Sequence, residues 1–192
     1  MTLYACSSNP GKLREFVLAG LPIETLPNLK SIPVPEETGS TFEDNARLKA
    51  VYYSQFTPEL VFADDSGLAV DVLGGEPGVY SARYAGANAT DDKNNSLLLK
   101  RLAGAQDRRA RFVCAVSLAR AGNIMTTVHG EVAGEILQAP RGMNGFGYDP
   151  LFFYPRRNCG FAELTNEEKF AVSHRGNALR ALEVFLRDRG LV

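Results

Sequence analysis

Val61-Phe62-Ala63-Asp64-Asp65-Ser66-Gly67-Leu68 is an apolar run that ends in two adjacent carboxylates and a Ser-Gly pair. It reads as a strand carrying acids to the edge of a sheet, then a turn at Ser66-Gly67, then a further extended piece from Leu68 to Val72. Strand side chains alternate between faces, so Asp64 and Asp65 cannot both point the same way, and one is expected to face a cleft while the other turns from it. A carboxylate beside a cleft points to a hard cation or to general-base chemistry. The plainer reading is a turn rich in Asp, Ser and Gly after any strand.

Working outward from this strand, Leu3 to Cys6 reads as a second one, followed by the turn Ser7-Ser8-Asn9-Pro10-Gly11 and a helix with Leu13, Phe16 and Val17 on one face. Ser40 and Glu43 have capping-box spacing, which predicts a helix from Thr41 to about Tyr53 with Phe42, Asn45 and Lys49 along one side. Thr90 is placed to cap a helix through Leu97, Leu98 and Leu102 that stops at Gly104. Arg111 to Ala119 and Ile124 to Leu137 form a predicted hairpin, and Leu151 to Tyr154 one more strand. Thr165 and Glu168 make a second capping box, and Gly176 is expected to interrupt the terminal helix before Ala178, Leu179 and Leu182 continue it. Strand-helix units mixed with antiparallel pairing define an α/β class with a mixed sheet and packed helices.

The chain has 192 residues, enough for one domain with a substantial core. Its 21 basic and 22 acidic side chains leave a formal charge of -1, so no global field favours nucleic acid or an anionic membrane. Cys6, Cys114 and Cys159 are scattered and odd in number, against a disulfide framework or a zinc site and in favour of a reducing cytoplasm. No apolar run approaches the ~20 residues that span a bilayer, which predicts a soluble protein.

Several segments could carry chemistry. Ser7, Ser8, Asn9, Pro10, Gly11 and Lys12 join a strand to a helix, where small residues let backbone N–H groups approach an anion and Lys12 adds a full charge. The segment is not a Walker A loop, because Leu13 follows the lysine where Ser or Thr is needed. Glu36 or Glu37 could join Asp65 around a magnesium ion, which prefers carboxylate, water and phosphate oxygens. The loop from Gly142 to Pro150 gathers Phe146, Gly147, Tyr148 and Asp149, offering stacking surfaces and an acceptor to a base. His174 and Arg175, with Lys169 upstream, would supply N–H donors. Each piece alone has a bland counterpart: a tight turn, an acidic surface loop, a solvated helix lysine, a glycine loop with core aromatics. His129 and the three cysteines read as structural.

Taken in order, Ser8-Asn9-Pro10-Gly11-Lys12, Glu36-Glu37-Thr38-Gly39-Ser40-Thr41-Phe42, Ala63 to Leu68, Phe146 to Pro150, and Glu168-Lys169 with Ser173-His174-Arg175 resemble the inosine triphosphate pyrophosphatase family over nearly the whole chain. Pro77 to Tyr84 is similar to its bacterial members and is expected to be structural or dimer-forming. The resemblance implies hydrolysis of deaminated purine nucleoside triphosphates (ITP, dITP, XTP) to monophosphate and pyrophosphate, which keeps these nucleotides out of DNA and RNA. It implies an elongated mixed sheet in a single domain over residues 1–192 whose two lobes enclose a nucleotide cleft, and a cytoplasmic homodimer with no nucleic-acid or membrane partner. It further implies that Asp65 is proton acceptor and metal ligand, and that Glu36 is the second magnesium ligand. The triphosphate and sugar fall to Ser7 through Lys12, Lys49, Ser66 and Lys169, and the base to Phe146 through Asp149 with His174 and Arg175. Where family members read Thr-Phe-x-Glu-Asn, this chain has Asp44 in the glutamate's place.

Two other classes compete. A phosphatase with an aspartyl nucleophile would release orthophosphate and calls for an Asp-x-Asp pair that the chain lacks. A non-catalytic nucleotide-binding module would have no need of Glu36 and Asp65.

Overall fold

The structure is a computed structural model that describes residues 2–192. Its spine is β3 (Leu60–Val70), an unbroken strand of 11 residues. The sequence expectation of a turn at Ser66-Gly67 is therefore corrected. The partner β4 (Arg109–Arg120) is long enough to continue the ladder, and the pairing runs from Val61↔Ala119 through Ser66↔Cys114 to Val70↔Ala110. Gly67 serves a close approach instead of a turn, since a Cβ there would collide with Ser81 and the Gly78 carbonyl.

β4 turns back into β5 (Asn123–Ile136) through Ala121 and Gly122, both at positive φ (50° and 79°), the backbone that a two-residue hairpin needs. β1 (Leu3–Ala5) pairs in parallel with β3 on one side and with β2 (Ile23–Thr25) on the other. β6 (Phe152–Tyr154) and β7 (Cys159–Gly160) complete a seven-stranded sheet in the order β2-β1-β3-β4-β5-β6-β7. The mixed α/β class is as expected.

Among the described residues five α-helices flank it: α1 (Pro10–Val17), α2 (Phe42–Tyr53), α3 (Asp91–Arg101), α4 (Asn166–Val172) and α5 (His174–Asp188). Asn9 caps α1, with Pro10 in the first turn. α2 is capped by Thr41, not by Ser40; the Thr41 hydroxyl accepts from Asp44 N at 3.0 Å. Thr90 caps α3 and the Thr165/Glu168 box caps α4, as predicted. The terminal break falls at Ser173 rather than Gly176; Ser173 ends α4 and caps α5, its hydroxyl accepting from Gly176 N at 3.1 Å. On α1, Phe16 is buried and Val17 is exposed; the side chain beside Phe16 that the fold buries is Glu15.

The alternation along β3 organises the core. Leu60 and Phe62 join α1 and α5 in one apolar cluster, while Leu68 and Val70 join α3 and β6 in another on the same face. Between them that face carries Asp64 and Ser66. Val61 and Ala63 meet Ala50 and Tyr53 of α2 on the opposite face, and Asp65 follows them. No helix among the described residues is long and apolar enough to cross a membrane.

Candidate active site

β1 stops pairing with β3 at Ala5↔Phe62, and Cys6 N donates to the Phe62 carbonyl at 2.9 Å. Beyond Phe62 that edge of β3 is free of β1, so side chains from both faces reach one cavity of about 490 Å³, within the usual size of small-molecule sites. Both acids line it, so the expectation that one turns away is corrected: alternation assigns them to opposite faces, but the open edge brings both to the cavity.

Asp65 lies on the α2 face. Its Oδ1 accepts from Lys49 Nζ at 2.9 Å, and the same ammonium donates to Glu37 Oε1 at 2.6 Å. Asn45 ties this end together, its Oδ1 accepting from Gly39 N at 2.8 Å while its Nδ2 lies 3.4 Å from Asp65 Oδ2. Burial raises the Asp65 pKa above the ordinary carboxylate value, with Lys49 opposing. Burial also acts to lower the Lys49 pKa, but Asp65, Asp64 and Glu37 outweigh it and hold the ammonium charged.

Asp64 lies on the α1/α5 face, paired with Lys12 Nζ at 3.0 Å and with Arg175 Nε at 3.3 Å. Burial would raise its pKa, but Lys12 and Arg175 hold it far below the usual range. Arg175 also donates from Nη2 to Ser66 Oγ at 2.7 Å and from Nη1 to Glu15 Oε2 at 2.5 Å. Glu15 receives Lys169 as well, at 2.7 Å.

The far end holds the glycine loop. Phe146 N donates to Asp149 Oδ2 at 2.9 Å, and Lys169 Nζ bonds the same oxygen. Lys169 and Arg175 sit over the Phe146 ring, 4.7 Å and 5.7 Å from its centroid. The ring also lies against Gly11, where a Cβ would come within 2.5 Å of it. His174 stacks on Phe112 at 4.7 Å with its Nδ1 buried and unpartnered. Burial, then the Arg175 and Lys169 charges, push its pKa well below 6.5, so the imidazole is neutral and offers one N–H donor.

Of the residues expected from the sequence, Ser7, Ser8, Asn9, Lys12, Lys49, Asp65, Ser66, Phe146, Gly147, Tyr148, Asp149, Lys169, His174 and Arg175 line the cavity. Pro10 and Gly11 do not; they build the start of α1, with Gly11 beneath Phe146. Glu36 is exposed and outside the lining, whereas Glu37, the next residue in the loop, lines it. Asp44 is likewise exposed and outside it. Lys169, expected on the phosphates, is held at the glycine-loop end by Glu15 and Asp149. Arg175 was expected to offer free donors, but Asp64, Glu15 and Ser66 engage its Nε, Nη1 and Nη2. His129 is exposed and lies 3.2 Å from Glu43, outside the cavity. The thiols fit a packing role; burial pushes Cys6 and Cys114 up to about 12. Sequence reasoning missed Glu15. Its signal was an acid three residues after Lys12 on a helix whose next residue is core.

Among the described residues no group of three or more His, Cys, Asp or Glu is placed to hold a metal, so a cation here would draw on two carboxylates together with water and substrate oxygens. Glu37 and Asp65 converge on one positive charge, and carboxylate oxygens with room for water and phosphate are what magnesium takes.

Comparison with known proteins gives one answer. The sequence profile of the Ham1 family matches residues 3–185. A relative from Acidobacterium capsulatum named dITP/XTP pyrophosphatase is 51% identical, covering 95% of this chain and 96% of the relative. The Staphylococcus aureus Ham1 protein superposes with a TM-score of 0.88 at 41% identity, over 98% of this chain and 100% of that one. The Mycobacterium abscessus nucleoside-triphosphatase / dITP/XTP pyrophosphatase gives 0.74 at 44% identity, over 95% and 98%.

Proposed function

Since the chain belongs to the Ham1 family, we propose that it hydrolyses deaminated purine nucleoside triphosphates, ITP, dITP and XTP, to the monophosphate and pyrophosphate. One observation carries the reading: a single cavity has a carboxylate-and-lysine end at Asp65, Lys49, Glu37 and Lys12, and an aromatic, hydrogen-bonding end at Phe146, Asp149 and His174. The first end suits a triphosphate and the second a base. The continuous sheet supports treating residues 1–192 as one domain whose two lobes enclose this cavity.

Magnesium is the metal of this reading, held by Asp65 and Glu37, where it would neutralise triphosphate charge and lower the pKa of a bound water. The remaining chemistry belongs to the chain. Asp65, with its raised pKa, is the proton acceptor for the attacking water. Lys12 and Lys49 stabilise charge on the departing pyrophosphate. Ser7, Ser8 and Asn9 line the wall where α1 begins and orient the phosphates there. Asp64 holds Lys12 and Arg175 in place and stays ionised throughout.

Base choice follows from donors and acceptors. A 6-keto purine presents an acceptor oxygen and an N1–H, which the neutral His174 N–H and the Asp149 carboxylate complement; adenine reverses both. The fit leaves guanine to be excluded elsewhere in the pocket. A cytoplasmic homodimer belongs to the same reading, on the family resemblance and in keeping with three free cysteines.

The testing experiment is a specificity panel. With magnesium present, kcat/KM for ITP and XTP should exceed that for ATP by at least about 10⁴-fold, the scale on which a site built to hydrogen-bond its substrate rejects an analogue that leaves its polar groups unpaired. Equal values for ITP and ATP would remove the base assignment.

A further inference from the structure

We propose that Asp91 and Asn95 of α3 are positioning residues for the base-binding end of the cavity, acting through the main chain of Gly147. Gly147 stands at φ 62°, with its N–H and C=O outside any strand ladder. α3 takes both groups: Asp91 Oδ2 accepts from Gly147 N at 2.7 Å, and Asn95 Nδ2 donates to the Gly147 carbonyl at 2.9 Å. Residues 91 and 95 are one helical turn apart, so a single face of α3 presents an acceptor and a donor to one residue's backbone.

The rest of that face fixes α3 itself. Asn94 Oδ1 accepts from Ala85 N at 2.8 Å, and its Nδ2 donates to the carbonyls of Ser81 and Ala82 at 3.3 and 3.2 Å. Tyr148 closes the circuit by donating its hydroxyl proton to the Ser81 carbonyl at 2.8 Å. The cost of the arrangement shows at Asn95, whose buried Oδ1 has no partner. Turning that amide over would set its oxygen against the Gly147 carbonyl, so the unpaired acceptor is tolerated for the sake of the clamp.

The consequence lies one residue back. Phe146 is held on one side by Asp149 through its own N–H and on the other by the clamped Gly147. The position of its ring over Gly11 and beside Lys169 therefore depends on α3. This inference rests on the proposed function in one respect: Phe146 and Asp149 must be the base-binding end.

The test compares Asp91→Ala with Asp91→Asn. Both remove the same charge from the first turn of α3, but the Asn amide oxygen still accepts from Gly147 N. Asp91→Ala should raise KM for ITP about tenfold, the equivalent of one lost hydrogen bond, with kcat within about twofold, while Asp91→Asn should stay near the parent. Amide exchange in the peptide over residues 142–149 should quicken about tenfold in Asp91→Ala and not in Asp91→Asn. Unchanged exchange in Asp91→Ala overturns the proposal whatever KM does, since Asp91 itself lines the cavity and could act on KM directly, as does equal damage in both variants, which would make charge the operative property. If the parent releases no pyrophosphate from ITP, the proposed function fails on its own, and the exchange measurement still decides the clamp.

Discussion

Asp64 and Asp65 are consecutive in β3 yet bond to cations on opposite faces of the sheet, Asp64 to Lys12 at 3.0 Å and Asp65 to Lys49 at 2.9 Å. Because β1 ends beside Phe62, both carboxylates still border one cavity. Their environments push their pKa values apart, Asp64 down and Asp65 up, which is what the proposed division into a charged anchor and a proton acceptor requires.

Asp65→Asn should lower kcat by at least about 100-fold and leave thermal stability near the parent's, since the change keeps shape and deletes a base. Asp64→Asn should instead destabilise the fold by about 3 kcal/mol, or roughly 6 to 12 °C in Tm, because it strips a counter-charge from the buried Arg175. Paired measurements of kcat and Tm check this. Loss of turnover without loss of stability in Asp64→Asn would show that the roles are exchanged.

Measured below saturating magnesium, the acid limb of kcat/KM should lie above the ordinary aspartate range, because burial raises the pKa of metal-free Asp65 and a bound magnesium ion would lower it. Lys49 favours the ionised form, so Lys49→Met should move that limb to still higher pH. The stability contribution of Asp64 has the opposite sense. Its folded pKa is depressed, so that contribution is complete above the unfolded value and is lost only as pH falls through the lower folded one. A rate profile in which Lys49→Met shifts the limb downward would contradict the assignment of Asp65.

Much of this was legible in the sequence. The hairpin from β4 to β5 was marked by its turn residues, and the Thr90 and Thr165 caps by side-chain type and spacing. The lining residues on the starting loop of α1, the glycine loop and the start of α5 were marked by composition. What escaped was whatever depends on a distant partner. Ser66-Gly67 has turn chemistry, yet pairing with Cys114 and Val113 keeps it extended. Glu36 and Glu37 are indistinguishable as residue types; what tells them apart in the fold is Lys49, reaching across from α2 to bond Glu37. Arg175 carries free donors in sequence, but the fold brings Glu15 and Asp64 to them from 160 and 111 residues away.

Glu37→Gln should raise the magnesium concentration for half-maximal activity at least about tenfold, the scale seen when even an indirect metal partner is lost. Glu36→Gln should change it by less than about threefold, as expected of an exposed side chain outside the cavity. Magnesium titrations of the two variants decide between neighbours. The reverse ranking would return the metal role to Glu36.

Phe146→Ala should weaken nucleotide binding by about 1 to 3 kcal/mol, the loss found when an aromatic platform for a base is removed. Gly11→Ala should mimic part of that loss, since its new methyl would displace the same ring. Calorimetric titration with a non-hydrolysable ITP analogue measures both. Unchanged affinity in Phe146→Ala would assign the ring to packing between α1 and Lys169.

The most direct measurement of the central claim is the phosphorus NMR spectrum of a reaction of the parent protein with ITP and magnesium, followed from the first turnovers. Hydrolysis at the carboxylate-and-lysine end predicts IMP and pyrophosphate in equal amounts, with no orthophosphate ahead of them. Orthophosphate and IDP as first products would contradict it.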